Sequence, residues 1–215
     1  MKAQRNHFTN WPGAGIRSGV VVIAMTVALS LAGCSAPAAS IASAQATSVA
    51  QTEAAATFLD DHRLAGMDAA QIIEKLDHQP VSERPTNLLA SVTPEALVLT
   101  DDQNRKVSLE MPQDEVYVSV APFVSQTHDC FFHSLTTCRG EIANKDLTIK
   151  ITDANGKVLV DQVQRSYDNG FIGFWLPRGT ESTLTVTVDG KSGTRVISTK
   201  SAQDPTCITD LQLTS

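Results

Sequence analysis

An α+β fold, short N-terminal helices followed by a predominantly antiparallel β domain, is what this 215-residue sequence predicts. Three observations carry that expectation. Two short segments with helical apolar spacing lie between residues 53 and 80. Beyond Thr86 the pattern changes to brief β-branched runs separated by turn-forming clusters. No repeat at solenoid or propeller spacing interrupts this order.

The chain opens on a segment that reads as an address rather than as fold. Its first 33 residues carry Lys2, Arg5 and Arg17 and no acid. Val20 to Ala32 form an apolar run of 13 residues broken only by Thr26 and Ser30. That length suits a signal-peptide core and falls short of the roughly 20 residues that span a bilayer. The run ends in Leu31-Ala32-Gly33-Cys34, which resembles the bacterial lipoprotein processing motif. Small residues there fit a peptidase cleft, and the Cys34 thiol becomes thioether-linked to diacylglycerol with palmitate-type acyl chains. Export by the general route is expected, since there is no Arg-Arg pair. Residues 35–57 contain ten alanines and one charge, Glu53. Such a stretch buries too little apolar surface to offset its ordering entropy, so a tether of roughly 25 Å mean span is expected.

Within the exported part, a first helix is expected at about Glu53–Arg63, ending by Gly66. Asp68 opens the second, with Gln71 completing a capping-box pair, a stripe of Ile72, Ile73 and Leu76, and Pro80 as its stop. Strands are expected at residues 88–92, 96–99, 107–109, 116–120 and 147–152. The last reaches 158–160 through Asn155-Gly156, a hairpin dipeptide. Residues 171–176 are apolar on both faces and predict a central, covered strand. Residues 184–188 then meet 195–198 through a turn at 189–193. The resulting organisation is a signal peptide (1–33), lipidated Cys34 with its tether (34–57), a small α+β region (58–112) and a β-rich domain (113–215). An exported β-domain of this size offers strand edges through which a homodimer can form.

Charge narrows the function. The whole chain carries −6, and residues 34–215 carry 14 basic against 23 acidic residues. An acidic domain cannot displace counterions from phosphates, which excludes nucleic acid as a partner. No Gly-x-Ser-x-Gly elbow, phosphate-binding glycine loop or His-Glu-x-x-His motif is present. His62 and His78 sit in polar helical surroundings and read as solvated; Trp175 and its phenylalanine neighbours read as core.

With Cys34 assigned to lipid, Cys130, Cys138 and Cys207 remain, an odd number for a protein whose disulfides use thiols in pairs. Two of them share the run His128-Asp129-Cys130-Phe131-Phe132-His133-Ser134-Leu135-Thr136-Thr137-Cys138. Thiolates select soft ions such as Cu(I), and a Cys3His set also satisfies tetrahedral zinc. His128 and His133 stand beside the thiols as candidate ligands, and Phe131 and Phe132 as a shield against water and oxygen. The same spacing fits a Cys130–Cys138 staple with a spare thiol, or thiol catalysis. The residues alone leave all three open.

Longer motifs add to this. Ser119-Val120-Ala121-Pro122-Phe123-Val124, continuing through His128 to Cys130, His133-Ser134-Leu135 and Cys138, resembles the CueP family of periplasmic copper-binding proteins. So do Asn169-Gly170-Phe171, Gly173-Phe174-Trp175-Leu176-Pro177-Arg178, Gly190-Lys191-Ser192-Gly193 and Pro205-Thr206-Cys207. The likeness runs over about residues 57–215, strongest from Tyr117 onward. It implies a copper-binding envelope protein whose three thiols are Cys130, Cys138 and Cys207. It also implies copper holding, supply to a copper/zinc superoxide dismutase or other envelope cuproprotein, and thiol-coupled reduction of Cu(II). A reversible Cys130–Cys138 disulfide fits this chemistry, leaving Cys207 to hold copper. The lipobox departs from the soluble relatives and places the protein on the outer face of the cytoplasmic membrane. The alternatives carried forward are a thiol oxidoreductase and a disulfide-stapled structural lipoprotein.

Overall fold

The computed structural model describes residues 51–215; the leader, Cys34 and most of the tether lie outside them. Helix α1 is already running at residue 51 and continues to residue 61, so the end of the expected tether is helical. It closes on Arg63, which takes a left-handed φ of 58° while the Leu64 amide bonds back to the Leu59 carbonyl at 2.7 Å. That αL position terminates the helix before Gly66 is reached. Helix α2 (Ala69–Asp77) starts as the sequence predicts, with Asp68 and Gln71 bonding each other's backbone amides at 2.8 and 3.0 Å. It stops at Asp77 rather than at Pro80, with a short 3-10 turn, Val81–Glu83, after it.

Eleven strands follow: β1 (Leu88–Val92), β2 (Ala96–Asp101), β3 (Lys106–Glu110), β4 (Glu115–Val120), β5 (His133–Ser134), β6 (Asp146–Asp153), β7 (Val158–Arg165), β8 (Ile172–Pro177), β9 (Glu181–Val188), β10 (Lys191–Ser198) and β11 (Cys207–Ile208). They form sheets ordered β3-β2-β1-β5, β10-β9-β6-β7 and β11-β4-β8. All pairs are antiparallel except β11 with β4. The strict alternation of β6 puts Leu147, Ile149 and Ile151 into the core and Thr148 and Lys150 outside. The β9–β10 turn is tighter than the sequence predicts. Asp189 and Gly190, both at positive φ, form a two-residue turn, and pairing resumes at Lys191 with Val188.

Two large apolar cores result, with a small third cluster of Ala121, Phe171 and Cys207 beside them. One is a sandwich in which β4 and β8 pack on β6 and β9, with Val118, Val120, Ile149, Ile172, Leu184 and Val186 fully buried. The other joins both helices to β1–β3 through Phe58, Leu64, Ile72, Ile73, Leu97 and Leu99. Strand β4 is the wall between them. Val116, Val118 and Val120 enter the sandwich, while Tyr117 enters the helical core, which explains why this strand lacks clean alternation. Residues 171–176 are covered as expected, but β8 is an edge: it bonds only β4, and β4 is the central strand of its sheet. Arg178 adds a polar clamp at the same seam, donating to the carbonyls of Pro94, Pro112, Gln113 and Glu115 at 2.7–3.1 Å.

His62 differs from the solvated residue expected. Its side chain is 6% exposed, 3.7 Å from Asp101, and packed on the Phe58 ring. His78 is exposed and pairs with Glu74 at 3.0 Å. Trp175 is partly buried against Tyr117, in the core as expected.

Gly173 is required by this seam. A Cβ there would overlap the ring and hydroxyl of Tyr117, which crosses its face. Gly173→Ala is therefore expected to destabilise the fold by about 1–3 kcal/mol through overpacking. Urea unfolding at constant m-value checks this, and an unchanged midpoint would mean that Tyr117 swings aside freely.

Candidate metal centre

The site lies where the two large cores meet, and six segments build it, one of them the 124–132 loop that carries His128 and Cys130. Helix α2 ends by delivering Asp77 to the seam. Strand β5 brings His133 opposite Val92 of β1, and β11 sets Cys207 opposite Ser119 of β4. Thr206 ties these two pieces together: its hydroxyl donates to the Val92 carbonyl and accepts from the His133 amide at 3.0 Å. The turn after β5 places Cys138, and the 167–170 turn places Asn169. Gly140 and Gly170 make those two turns touch, with the Gly140 amide 2.6 Å from the Asn169 carbonyl. A Cβ at Gly140 would sit 2.7 Å from the Gly170 carbonyl oxygen.

All three sulfurs converge. Cys130 is joined to Cys207 by a disulfide across 77 residues of chain, and Cys138 is the free thiol, its Sγ 3.5 Å from that of Cys130. This differs from the pairing expected from sequence proximity, in which Cys130 bridges Cys138 and Cys207 stays free. The reason lies in the backbone: the amides of Thr206 and Cys207 both donate to the Phe131 carbonyl, at 3.0 and 3.1 Å, which docks β11 beside Cys130. Cys138 is held instead within its own turn, where its Sγ accepts from the Ser134 amide at 3.4 Å.

Both expected histidines reach the cluster. His128, Cys130 and Cys138 present ligand atoms within 4.8 Å of one another, and so do His133, Cys138 and Cys207. His133 is fully buried with Nδ1 3.8 Å from Cys207 Sγ, whereas His128 is exposed. Phe171 packs on His133 at 4.6 Å between ring centres and supplies an apolar wall. Phe131 and Phe132 stack edge-to-face on each other but are 54% and 36% exposed, so they rim the site rather than seal it. Surface clefts reach the sulfurs from two sides, one lined by His128, Cys138 and Arg139, the other by Cys130, Phe131 and Arg195.

Asp77 is the functional group that the motifs did not reveal. Its carboxylate has no solvent exposure. Oδ1 accepts from Asn169 Nδ2 at 2.8 Å and meets His133 Nε2 at 3.0 Å, while Oδ2 accepts from the Tyr117 hydroxyl at 2.6 Å. Facing a carboxylate, Nε2 carries the ring proton and Nδ1 is turned toward the sulfurs. One signal was available: Asp77 follows Ile73 by four residues, on the apolar face of α2, where a carboxylate needs a partner.

These contacts set protonation. Burial pushes the Asp77 carboxyl upward, but the His133 charge and the bonds from His133, Tyr117 and Asn169 outweigh it and hold it below its ordinary value. Burial likewise disfavours the His133 cation, yet Asp77 prevails, with help from Cys138, and raises it to about 9. For Cys138, burial is again opposed, here by His133, the Ser134 amide and Arg84, and the thiol is lowered. Arg84 completes the group, donating to the Cys138 carbonyl at 2.9 Å with its other terminal nitrogen 3.8 Å from Asp77.

An exported-type β scaffold that gathers three sulfurs and two imidazoles defines a thiol-rich protein with the donor set of a soft-metal binder. The chain belongs to the CueP family of periplasmic copper-binding proteins: the family model described as "Periplasmic copper-binding protein CueP" matches residues 71–212. A solved structure titled "Crystal Structure of S.CueP" is similar at 42% identity, covering 74% of this chain and 96% of its own, with a TM-score of 0.69. No curated protein matches. Copper is thus the ion of this family, and the family is periplasmic.

The buried pair has a pH signature. His133, raised from 6.5 to about 9, contributes stability that is complete below about pH 6.5 and is lost as pH rises through about 9. Asp77, lowered, contributes stability present above its ordinary value and lost in acid. Cys138 titrates with the opposite sign to His133, so the comparison belongs in a Cys138→Ser background. There, unfolding free energy is expected to fall from pH 6.5 to 9, and adding Asp77→Asn should flatten that slope. Denaturation series across this range check it.

Proposed function

We propose that this protein is an exported, lipid-anchored copper carrier whose reduced form holds Cu(I) among Cys130, Cys138 and Cys207. The supporting observation is the convergence of all three sulfurs and two imidazoles from segments up to 79 residues apart in sequence, His128 to Cys207. Soft thiolates suit Cu(I), and His133 Nδ1, on giving up its proton to the solvent as the metal binds, offers a further donor from the buried side. His128 offers one from the exposed side. The same Cys3His set accommodates zinc in vitro. Anchoring rests on the Leu31-Ala32-Gly33-Cys34 motif, which places the carrier on the outer face of the cytoplasmic membrane. Edge strand β7, with Val158 and Val163 exposed, supplies a surface through which two copies can pair.

The disulfide fits a reductive step. Cys130 and Cys207 as thiols give one electron each to two Cu(II) ions; a Cys130–Cys207 disulfide and two Cu(I) form, and two protons leave. Cys138 remains a thiol to receive one of the Cu(I) ions. Reduction of the disulfide by an external dithiol restores the three-thiol site. Transfer then goes to an envelope cuproprotein, a copper/zinc superoxide dismutase among them.

A second reading, a thiol oxidoreductase, draws on the lowered Cys138 thiol beside a disulfide. The two separate on turnover: a carrier gives one stoichiometric burst of Cu(II) reduction, an enzyme continues while a reductant lasts.

Anaerobic titration of the reduced protein with Cu(I) against a competing chelator tests the carrier. Tight one-to-one binding is expected. Cys138→Ser should weaken it at least about 100-fold, beyond the 10- to 100-fold typical of losing an outer partner. Retention of tight binding in that variant would disprove the shared three-sulfur site.

A further inference from the structure

Three features around the disulfide bear on its own sulfur chemistry, besides the part they take in holding a metal. The free thiol of Cys138 stands 3.5 Å from Cys130 Sγ, one specific sulfur of the bridge. The other sulfur, on Cys207, lies 3.8 Å from His133 Nδ1 and its residue is 2% exposed. His133 also groups with Cys138, so one imidazole stands beside both the free thiol and the far end of the bridge.

We propose that Cys138 is the nucleophile of an intramolecular disulfide exchange that moves the bridge from Cys130–Cys207 to Cys130–Cys138. The Cys138 sulfur attacks Cys130 Sγ, the Cys130–Cys207 bond breaks, and Cys207 leaves as a thiolate next to His133. One S–S bond forms as one breaks, so no oxidant or reductant is consumed. Such exchange depends on which sulfur is attacked and on what stabilises the one that leaves. Distance marks Cys130 as the sulfur attacked, and the imidazole stands beside Cys207; turning Cys138 Sγ into line with the Cys130–Cys207 bond is the movement the step requires.

The surrounding chain suits the movement. Residues 124–132 around Cys130 form no helix or strand, whereas the Cys138 turn is fixed by the Ser134 amide and by Arg84. Cys207 keeps its place after release, because β11 stays paired with β4 and its amide stays bonded to Phe131. The exchange therefore shifts a bridge with one buried end onto two partly exposed residues, where an external dithiol can reach either sulfur. It makes attack by Cys138 the step that frees the buried Cys207 sulfur from the bridge before reduction, and it does not depend on copper.

The test uses metal-free, oxidised full chain carrying Cys34→Ser, so that only three thiols take part. Samples held at pH 6 to 9 are quenched in acid, blocked with an acid-active thiol reagent, and mapped by mass spectrometry without reduction. Two isomers are expected, Cys130–Cys207 with Cys138 blocked and Cys130–Cys138 with Cys207 blocked, the minor one at about 1% or more. The rate of interconversion should be unchanged over a tenfold range of protein concentration. A single Cys130–Cys207 isomer at every pH overturns the proposal, and so does a rate that rises with concentration, which assigns the exchange to collisions between molecules. Cys207→Ser provides an independent check. Mild oxidation should close Cys130–Cys138 while circular dichroism stays native-like; a folded variant that keeps both thiols free also overturns it. Neither experiment contains metal, so failure here leaves the copper reading standing, and failure of Cu(I) binding leaves the exchange standing.

Discussion

The contact between Asp77 and His133 organises this molecule. A carboxylate without solvent exposure is costly unless every lone pair is used, and here they are used by groups from both halves. Helix α2 supplies the acid, β5 the imidazole, β4 the Tyr117 hydroxyl and the 167–170 turn the Asn169 amide. Apolar packing alone tolerates sliding between two cores, because dispersion and burial are not directional. A buried carboxylate with named donors is directional, so it fixes how the helical half meets the sandwich.

That fixed geometry passes to the sulfurs. Arg84, Asp77 and His133 alternate in charge along a short buried path, and the half-buried Cys138 stands at its end beside His133. The net effect is a thiol lowered despite its burial, and an imidazole whose Nδ1 points at Cys207. Removing one member strands its neighbour as an uncompensated charge, which costs far more than the ion pair contributes to stability. The arrangement is therefore better understood as specifying positions than as stabilising the fold.

Much of the scaffold was legible in the sequence, and the reasons are local. The Asp68–Gln71 cap, the β6 alternation and the Asn155-Gly156 hairpin turn each depend on residues within a few positions of one another. Strands β5 and β11 were not legible, since two-residue strands have no period and exist only because β1 and β4 stand ready to receive them. The three thiols were found by counting and motif, but their pairing was not. Proximity in sequence favoured Cys130 with Cys138, whereas backbone bonds from Thr206 and Cys207 to Phe131 decided for Cys207. Asp77 escaped because an acid on an amphipathic helix is ordinarily solvated, and its partners are 40 to 92 residues away.

A three-thiol site faces a problem that its own chemistry creates. Loss of a bridge closing 77 residues releases chain constraint worth about 4–5 kcal/mol by loop-closure arguments, so the reduced form must keep its sulfurs together by other means. The structure provides them. Cys207 is held by parallel pairing of β11 with β4, its amide by Phe131, and Cys138 by Ser134 and Arg84, none of which involves the S–S bond. Cys130 and Cys138 both sit outside helix and strand, but Cys138 has the Ser134 and Arg84 contacts to hold it, so of the three Cys130 relies most on the bridge. Reduction thus loosens one sulfur while two stay in place beside His133.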